Sequence, residues 1–341
     1  MSIATIGIDL AKTVFQVHGA DEQGKPVLRK KLRRTQVLAF FENTPTCLIG
    51  MEACASAHHW ARKLQAMGHT VKLIPAQFVK PYVKSNKNDA ADAEAICEAV
   101  IRPTMRFVSI KHEEQQAVLS LHRVRRGFVK ARTAQSNQIR GLLGEFGVTV
   151  PRGIAQIRVR VPALIEDASI ELPGTMRILI DRLLEHFKAI DEQVRYIEKQ
   201  IKQWHRNDPA SQRLARVPGI GPLAASAMAA TIGDVRAFKS GRHMAAWLGL
   251  VPKQHSTGGK ANLLGISKRG DTYLRTLLIH GGRTMVQWAK RKGDPTNSIY
   301  QLEQRRNYNV AAVAVANRNV RIAWALLTHE RQYSADYCPQ T

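Results

Sequence analysis

The stretch IATIGIDLAKTVFQVHGADEQGKPVLRKKLRR, residues 3–34, decides the fold. It holds three strand-like runs, IATIGIDL, TVFQVHGA and PVLRKKLRR. A short turn joins the first two, and DEQGKP leads into the third, so the three make an antiparallel meander. Further along, a polar helical stretch starts at Thr35, TCLIGME and TVKLIP read as strands, and a helix through HHWARKLQAMG separates them. Strands entered through helices make the sheet mixed.

The resulting order, βββαβαβ, is that of a ribonuclease-H-like domain. From about Lys111 the chain turns helical. Met176, Ile180, Leu183, Phe187, Ile190, Val194, Ile197, Ile201 and Trp204 recur there at alternating spacings of four and three, the period of a coiled-coil seam. The seam needs a partner helix, either residues 112–146 of the same chain or a second copy. From about Asp208, helices alternate with Gly-rich loops. The expected fold is α/β plus all-α. Residues 1–108 form the mixed-sheet domain, 109–207 a helical coiled-coil dimerisation domain, 208–330 a helical C-terminal domain, and 331–341 a tail.

The 341 residues carry 51 Lys and Arg against 27 Asp and Glu, a net charge of +24, which points to a polyanionic partner, nucleic acid first. The basic residues form local clusters, RKKLRR at 29–34, RVRR at 123–126 and KRK at 290–292, so several surfaces can meet phosphates. Each cluster alone is equally well a solvated face. No apolar run is expected to reach a membrane span, and MSIATIGIDLAK lacks the order of a signal peptide, so a cytoplasmic location is expected. Cys47, Cys54, Cys97 and Cys338 show neither metal-ligand spacing nor a disulfide framework, and read as reduced thiols.

In so basic a chain the acids are informative. Asp9 ends the first strand, Glu52 ends the fourth, and NDAADAEAI places Asp89 and Asp92 three apart on the next helix, hence on one face. Singly, Asp89 could cap its helix and Asp92 could answer the helix dipole. Together the four can converge at the strand ends, where like charges need a compensating cation. Oxygen-only ligands suit hard Mg²⁺ or Mn²⁺. Two such ions about 3.5–4 Å apart clamp a phosphodiester undergoing in-line attack.

Two later motifs bear on nucleic acid. VPGIGPLAAS, 217–226, reads as a hairpin between helices whose Gly219 and Gly221 let the backbone approach a phosphate; a tight interhelical turn is the plainer reading. QHSTGGKANLLG, 254–265, reads as a loop offering the hydroxyls of Ser256 and Thr257, although a Ser beside Gly is usually a turn residue. His255 could serve as a base but is more often a bystander in such a loop. Lys253, Lys260, Lys268 and Arg269 flank the loop as phosphate clamps, and the helix with Tyr273, Leu274, Leu277, Leu278 and Trp288 reads as core.

GIDLAKTVFQV, GMEACASAHHW and KNDAADAEAI, followed in order by VPGIG, HSTGG and GISKRGD, resemble the motifs of the DEDD transposases of bacterial insertion sequences, of the IS-one-ten type and its IS-eleven-eleven subgroup. The likeness runs through nearly all of the chain. It implies a RuvC-like N-terminal domain with Asp9, Glu52, Asp89 and Asp92 as catalytic metal ligands, and a C-terminal serine that joins DNA covalently in a site shared with that domain. Ser256 is the better primary nucleophile, with Thr257 the alternative, because relatives differ by one place. The resemblance also implies guidance by an element-encoded noncoding RNA, a 5′-phosphoserine intermediate, a Holliday-like junction and a tetramer of two dimers with shared sites. Two other readings stand beside it. One is a RuvC-like, metal-dependent Holliday-junction nuclease that uses water; the other is a non-enzymatic DNA-bridging protein.

Overall fold

Strand β1 (Thr5–Leu10) pairs antiparallel with β2 (Val14–Ala20), and β2 pairs antiparallel with β3 (Pro26–Arg33), so the meander forms as expected. After helix α1 (Val37–Glu42), β4 (Leu48–Glu52) enters parallel to β1. After α2 (Ala57–Ala66), β5 (Thr70–Ile74) enters parallel to β4. The sheet order is β3-β2-β1-β4-β5, a mixed α/β sheet. Short α3 (Ala76–Val79) and then α4 (Asp89–Val100) follow. The computed structural model describes residues 2–84 and 88–334; Cys338 and tail residues 335–341 lie outside the described residues.

The pleat sorts this sheet's residues by parity. Ile6 and Ile8 of β1, with Ile49 and Met51 of β4, are buried in a core shared with Phe41 of α1 and with Trp60 and Leu64 of α2. The other face receives α4, whose Ala95, Ile96, Ala99 and Val100 are buried with Ile74 and packed against Leu48. β3, at the sheet edge, is exposed along most of its length and carries Arg29, Lys30, Lys31 and Arg33. Charged side chains on an edge strand discourage pairing with another sheet.

The chain divides into two compact units, Met1–Glu113 and Glu114–Thr341. The second rests on three helices, α5 (Glu113–Gly144), α6 (Ile154–Glu166) and α7 (Gly174–Asn207). Arg125 pairs with Glu198, Arg132 with Asp191, and Gln135 with His186. Partner numbers fall along α7 as they rise along α5, so the two helices form an antiparallel hairpin. The seam of α7 therefore meets residues 113–144 of its own chain. Ile180, Phe187, Ile190, Val194, Ile197 and Ile201 are buried as the spacing implies, while Leu184 takes the buried place next to half-buried Leu183. A straight helix of 3.6 residues per turn drifts off a 3.5-residue repeat in this way.

Helices α8 (Pro209–Ala215), α9 (Pro222–Ile232) and α10 (Gly241–Trp247) lead to a two-stranded ribbon, β6 (Pro252–Gln254) with β7 (Leu263–Ile266). Then come α11 (Thr272–Lys292), α12 (Ser298–Arg305) and α13 (Tyr308–Thr328). The stretch read as a loop at 254–265 is thus the end of a β-hairpin: local Gly content sets the turn, and cross-strand pairing sets the rest. Trp288, read as core, is 49% exposed with the Lys292 ammonium 5.2 Å over its ring, because it lies on the solvent side of α11. One correction concerns length. α13 has 21 residues and is apolar enough to cross a membrane, contrary to the expectation that no run reaches that size. Its apolar side is spent on packing, with Ala311, Ala312, Val315, Ala316, Val320, Ala323 and Leu326 buried.

Candidate active site

Two glycines build the carboxylate site. Gly7 of β1 and Gly50 of β4 are register partners, and both lie under α4. A Cβ on Gly7 would overlap the Ala93 carbonyl oxygen and the Cys97 nitrogen, and one on Gly50 would stand 2.8 Å from Cβ of Val100. With alanines at 90, 91, 93, 95 and 99, the helix lies almost directly on the sheet. Asp9 and Glu52 are each two residues beyond a glycine, so they share its face and leave adjacent strands side by side at the end of α4 that begins with Asp89. The helix starts there because Asn88 caps it, its side-chain oxygen accepting from the Ala90 nitrogen at 3.1 Å. The cap is Asn88, which leaves Asp89 and Asp92 in the first turn with their carboxylates free of that duty.

Carboxylate oxygens of Asp9, Asp89 and Asp92 lie within 4.8 Å of one another. Glu52 stands outside that group but within its field. Burial first, and then the charges of Asp92, Asp89 and Glu52, push the Asp9 carboxyl up to about 6. Burial and Asp92 also raise Glu52. Crowding of this kind costs free energy in a metal-free protein, and an oxygen-only donor set suits a hard divalent cation. The residues therefore fit a metal. Cys54 sits beside the group, its thiol raised by burial and by the charges of Glu52 and Asp9. Its position next to the acids is not legible from cysteine spacing.

In the second unit, Ser256 and Thr257 lie at the exposed end of the β6–β7 hairpin. Gly258 and Gly259 both have positive φ, 54° and 76°, and the Lys260 nitrogen donates to the Thr257 carbonyl at 3.0 Å, which closes a tight turn. The Ser256 hydroxyl accepts from Nε2 of Gln254 at 2.7 Å, and the His255 nitrogen donates to the Asn262 carbonyl at 2.9 Å. Lys253 and Lys260 are exposed on the hairpin. Lys268, with φ of 55°, and Arg269 form the turn behind it, held where Gly249 allows the Arg269 backbone to approach closely.

The VPGIG hairpin joins α8 to α9. Gly219 has φ of 88° and lies 3.1 Å from the Gly281 carbonyl of α11 by its missing Cβ, so this glycine is required by packing. Gly221, by contrast, has open space around it. Beside the hairpin is a cavity of about 290 Å³, lined in part by His280, Arg283, Thr284 and Gln287 of α11. Sequence reading took α11 for core and missed these. Their spacing of three and four along one helix face is the signal that could have found them.

Known proteins similar in sequence match nearly the whole length of the chain. Residues 6–147 match a family model of DEDD type described as a transposase, and residues 211–296 match the transposase IS116/IS110/IS902 family. The chain is 53% identical over 335 residues to a probable family 20 transposase of Pseudomonas aeruginosa, covering 98% of this chain and 99% of that one. It is 44% identical over 334 residues to the transposase for insertion sequence element IS1328 of Yersinia enterocolitica, covering 98% and 99%. To the transposase for IS1111A of Coxiella burnetii it is 42% identical over 332 residues, covering 97% and 91%.

Proposed function

Since the chain belongs to the IS116/IS110/IS902 transposase family and is a DNA transposase, we propose that it cuts and joins insertion-sequence DNA through a serine nucleophile and a divalent-metal carboxylate site. The observation that carries this reading is the crowding of Asp9, Asp89 and Asp92. Asp9, Glu52, Asp89 and Asp92 are the catalytic carboxylates and would hold Mg²⁺ or Mn²⁺. When bound, that ion supplies Lewis-acid stabilisation of charge on the phosphate. Ser256 Oγ attacks phosphorus, with Gln254 orienting the hydroxyl through its 2.7 Å hydrogen bond. The Ser256 Oγ–P bond forms, the P–O3′ bond breaks, and a 5′-phosphoserine and a free 3′-hydroxyl result. The serine proton leaves to solvent, and the 3′ oxygen takes one up. Thr257 is the alternative nucleophile.

Gly219, Gly221, Lys253, Lys260, Lys268 and Arg269 are the nucleic-acid contacts of this proposal, Gly221 through its open backbone and the cations through phosphates. The partners are element and target DNA, together with a guide noncoding RNA from the element, to which the +24 charge is suited. Residues 109–207 dimerise through faces other than the α7 seam, which α5 of the same chain covers, and the dimers form a tetramer in the bacterial cytoplasm at the nucleoid. Residues 1–108 carry the metal site, and residues 208–330 the serine. The experiment is a denaturing gel of the protein with Mg²⁺, co-purified RNA and labelled element-junction DNA. A protein–DNA adduct lost in Asp9→Ala and Ser256→Ala is expected. Loss in Thr257→Ala instead moves the nucleophile by one, free nicked DNA without adduct replaces this reading with a water-using nuclease, and metal-independent action on DNA points to a bridging protein.

A further inference from the structure

Two register rows cross the α4 face of the sheet. Asp9 pairs with Gln16 and Gln16 with Lys31, while Gly7 pairs with His18 and His18 with Arg29. With Glu52 beside Asp9, the first row begins in carboxylates and ends in a cation. Lys31 lies two strand spacings from Asp9, about 10 Å along the row. Between these rows and the first turns of α4 runs a groove of about 370 Å³, lined by Gln16, His18, Arg29, Lys31, Asn88 and Glu94.

The charges in this groove are not equivalent. Arg29 is held by Glu94 at 3.6 Å, and Glu94 is also paired with Lys84 at 3.4 Å, so the groove's own carboxylate is neutralised. Lys30 lies 4.9 Å over the Phe40 ring, and Arg34 lies 5.2 Å over Trp60. Lys31 is exposed and has no ion pair or ring partner among the described residues. Edge protection alone would be served by a lysine on either face. This one faces the groove, in the row of the metal carboxylates.

We propose that the groove holds the sugar–phosphate backbone of the DNA strand being cut, with Lys31 clamping a phosphate next to the one at the carboxylates and Gln16 hydrogen-bonding the backbone between them. The inference rests on the reading that Asp9, Asp89 and Asp92 hold metal against the scissile phosphate. Such contacts position a strand without reading its sequence. Lys31 is therefore a positioning residue.

The test is a scan of element-end DNA in which one phosphate at a time is replaced by a neutral methylphosphonate, bound to wild type, Lys31→Ala and Lys31→Arg. Mn²⁺ binding is followed in the same proteins by electron paramagnetic resonance. At one phosphate beside the cut, neutralisation should weaken wild type about tenfold, the size of a hydrogen bond to a charged group. Lys31→Ala should be indifferent there, and Lys31→Arg should regain sensitivity. Lys31→Ala should bind Mn²⁺ as wild type does. If Lys31→Ala stays as sensitive as wild type at every phosphate, the groove proposal is overturned, and greater self-association with unchanged sensitivity would assign Lys31 to edge protection. Failure of the metal reading shows separately, as undiminished Mn²⁺ binding in Asp9→Ala.

Discussion

Gly7 shapes the carboxylate site from outside the acids themselves. Its missing Cβ is what lets the Ala93 carbonyl and the Cys97 nitrogen come down onto β1 and carry Asp89 and Asp92 to Asp9. Gly7→Ala should move α4 outward, lower Mn²⁺ affinity and cut strand-cleavage activity at least tenfold, with a melting temperature several degrees lower. Gly24→Ala, strained by a φ of 79° at a turn with open space around it, is the control that should cost stability while leaving metal binding alone. Asp9 adds a pH dependence. Its carboxyl is raised from 3.8 to about 6, so the folded state binds more protons than the unfolded state between those values, and metal-free stability falls as pH rises through that window. A bound cation removes the cost. Thermal shift by Mn²⁺ should therefore be larger at about pH 7.5 than at about pH 5, and equal shifts at both would count against Asp9 as a ligand.

At the scale of elements, α5 is the member that ties the second unit together. His122 on α5 is 2% exposed, hydrogen-bonded to the Tyr273 hydroxyl of α11 at 3.0 Å and to the Ser226 hydroxyl of α9 at 3.1 Å. Burial, and then Arg125, lower its pKa to about 4, so it is neutral in the fold. Below 6.5 the unfolded chain binds a proton that the folded one refuses, and stability drains away as pH falls toward 4. Wild type should lose on the order of 3 kcal/mol more than His122→Gln across that range in denaturant unfolding. Further along the same helix, Arg132 meets Asp191, a 3% exposed carboxylate that also pairs with Arg158 and Arg195. That cluster, together with the Arg125–Glu198 pair at 2.6 Å, sets the register of α5 against α7 where apolar side chains alone would allow a slip.

For the whole molecule the decisive quantity is charge. The net charge of +24 includes basic clusters on the edge strand, in the RVRR of α5 and at the basic end of α11, so each unit has surfaces that can contact phosphates. Affinity for DNA of unrelated sequence should fall about a thousandfold or more between about 50 and 200 mM salt, as for a protein with six or more phosphate contacts. A shallow salt slope in filter binding would mean that most of these cations face solvent.

The meander, the parallel entry of β4 and β5, the helical second half and the meeting of Asp9 with Asp89 and Asp92 were legible in the sequence, because each rests on short-range rules: turn length, side-chain period and helix spacing. Family membership was legible for the same reason, in motifs of consecutive residues. Tertiary structure decided what depends on distant partners. It chose α5 of the same chain as the partner of the α7 seam, put Leu184 in place of Leu183, left Trp288 in solvent and folded the serine stretch into a hairpin. It also decided how closely the acids approach. Sequence spacing sets which face of a strand or helix an acid lies on, but the gap between those faces is set by what fills it, and here it is two glycines and a run of alanines.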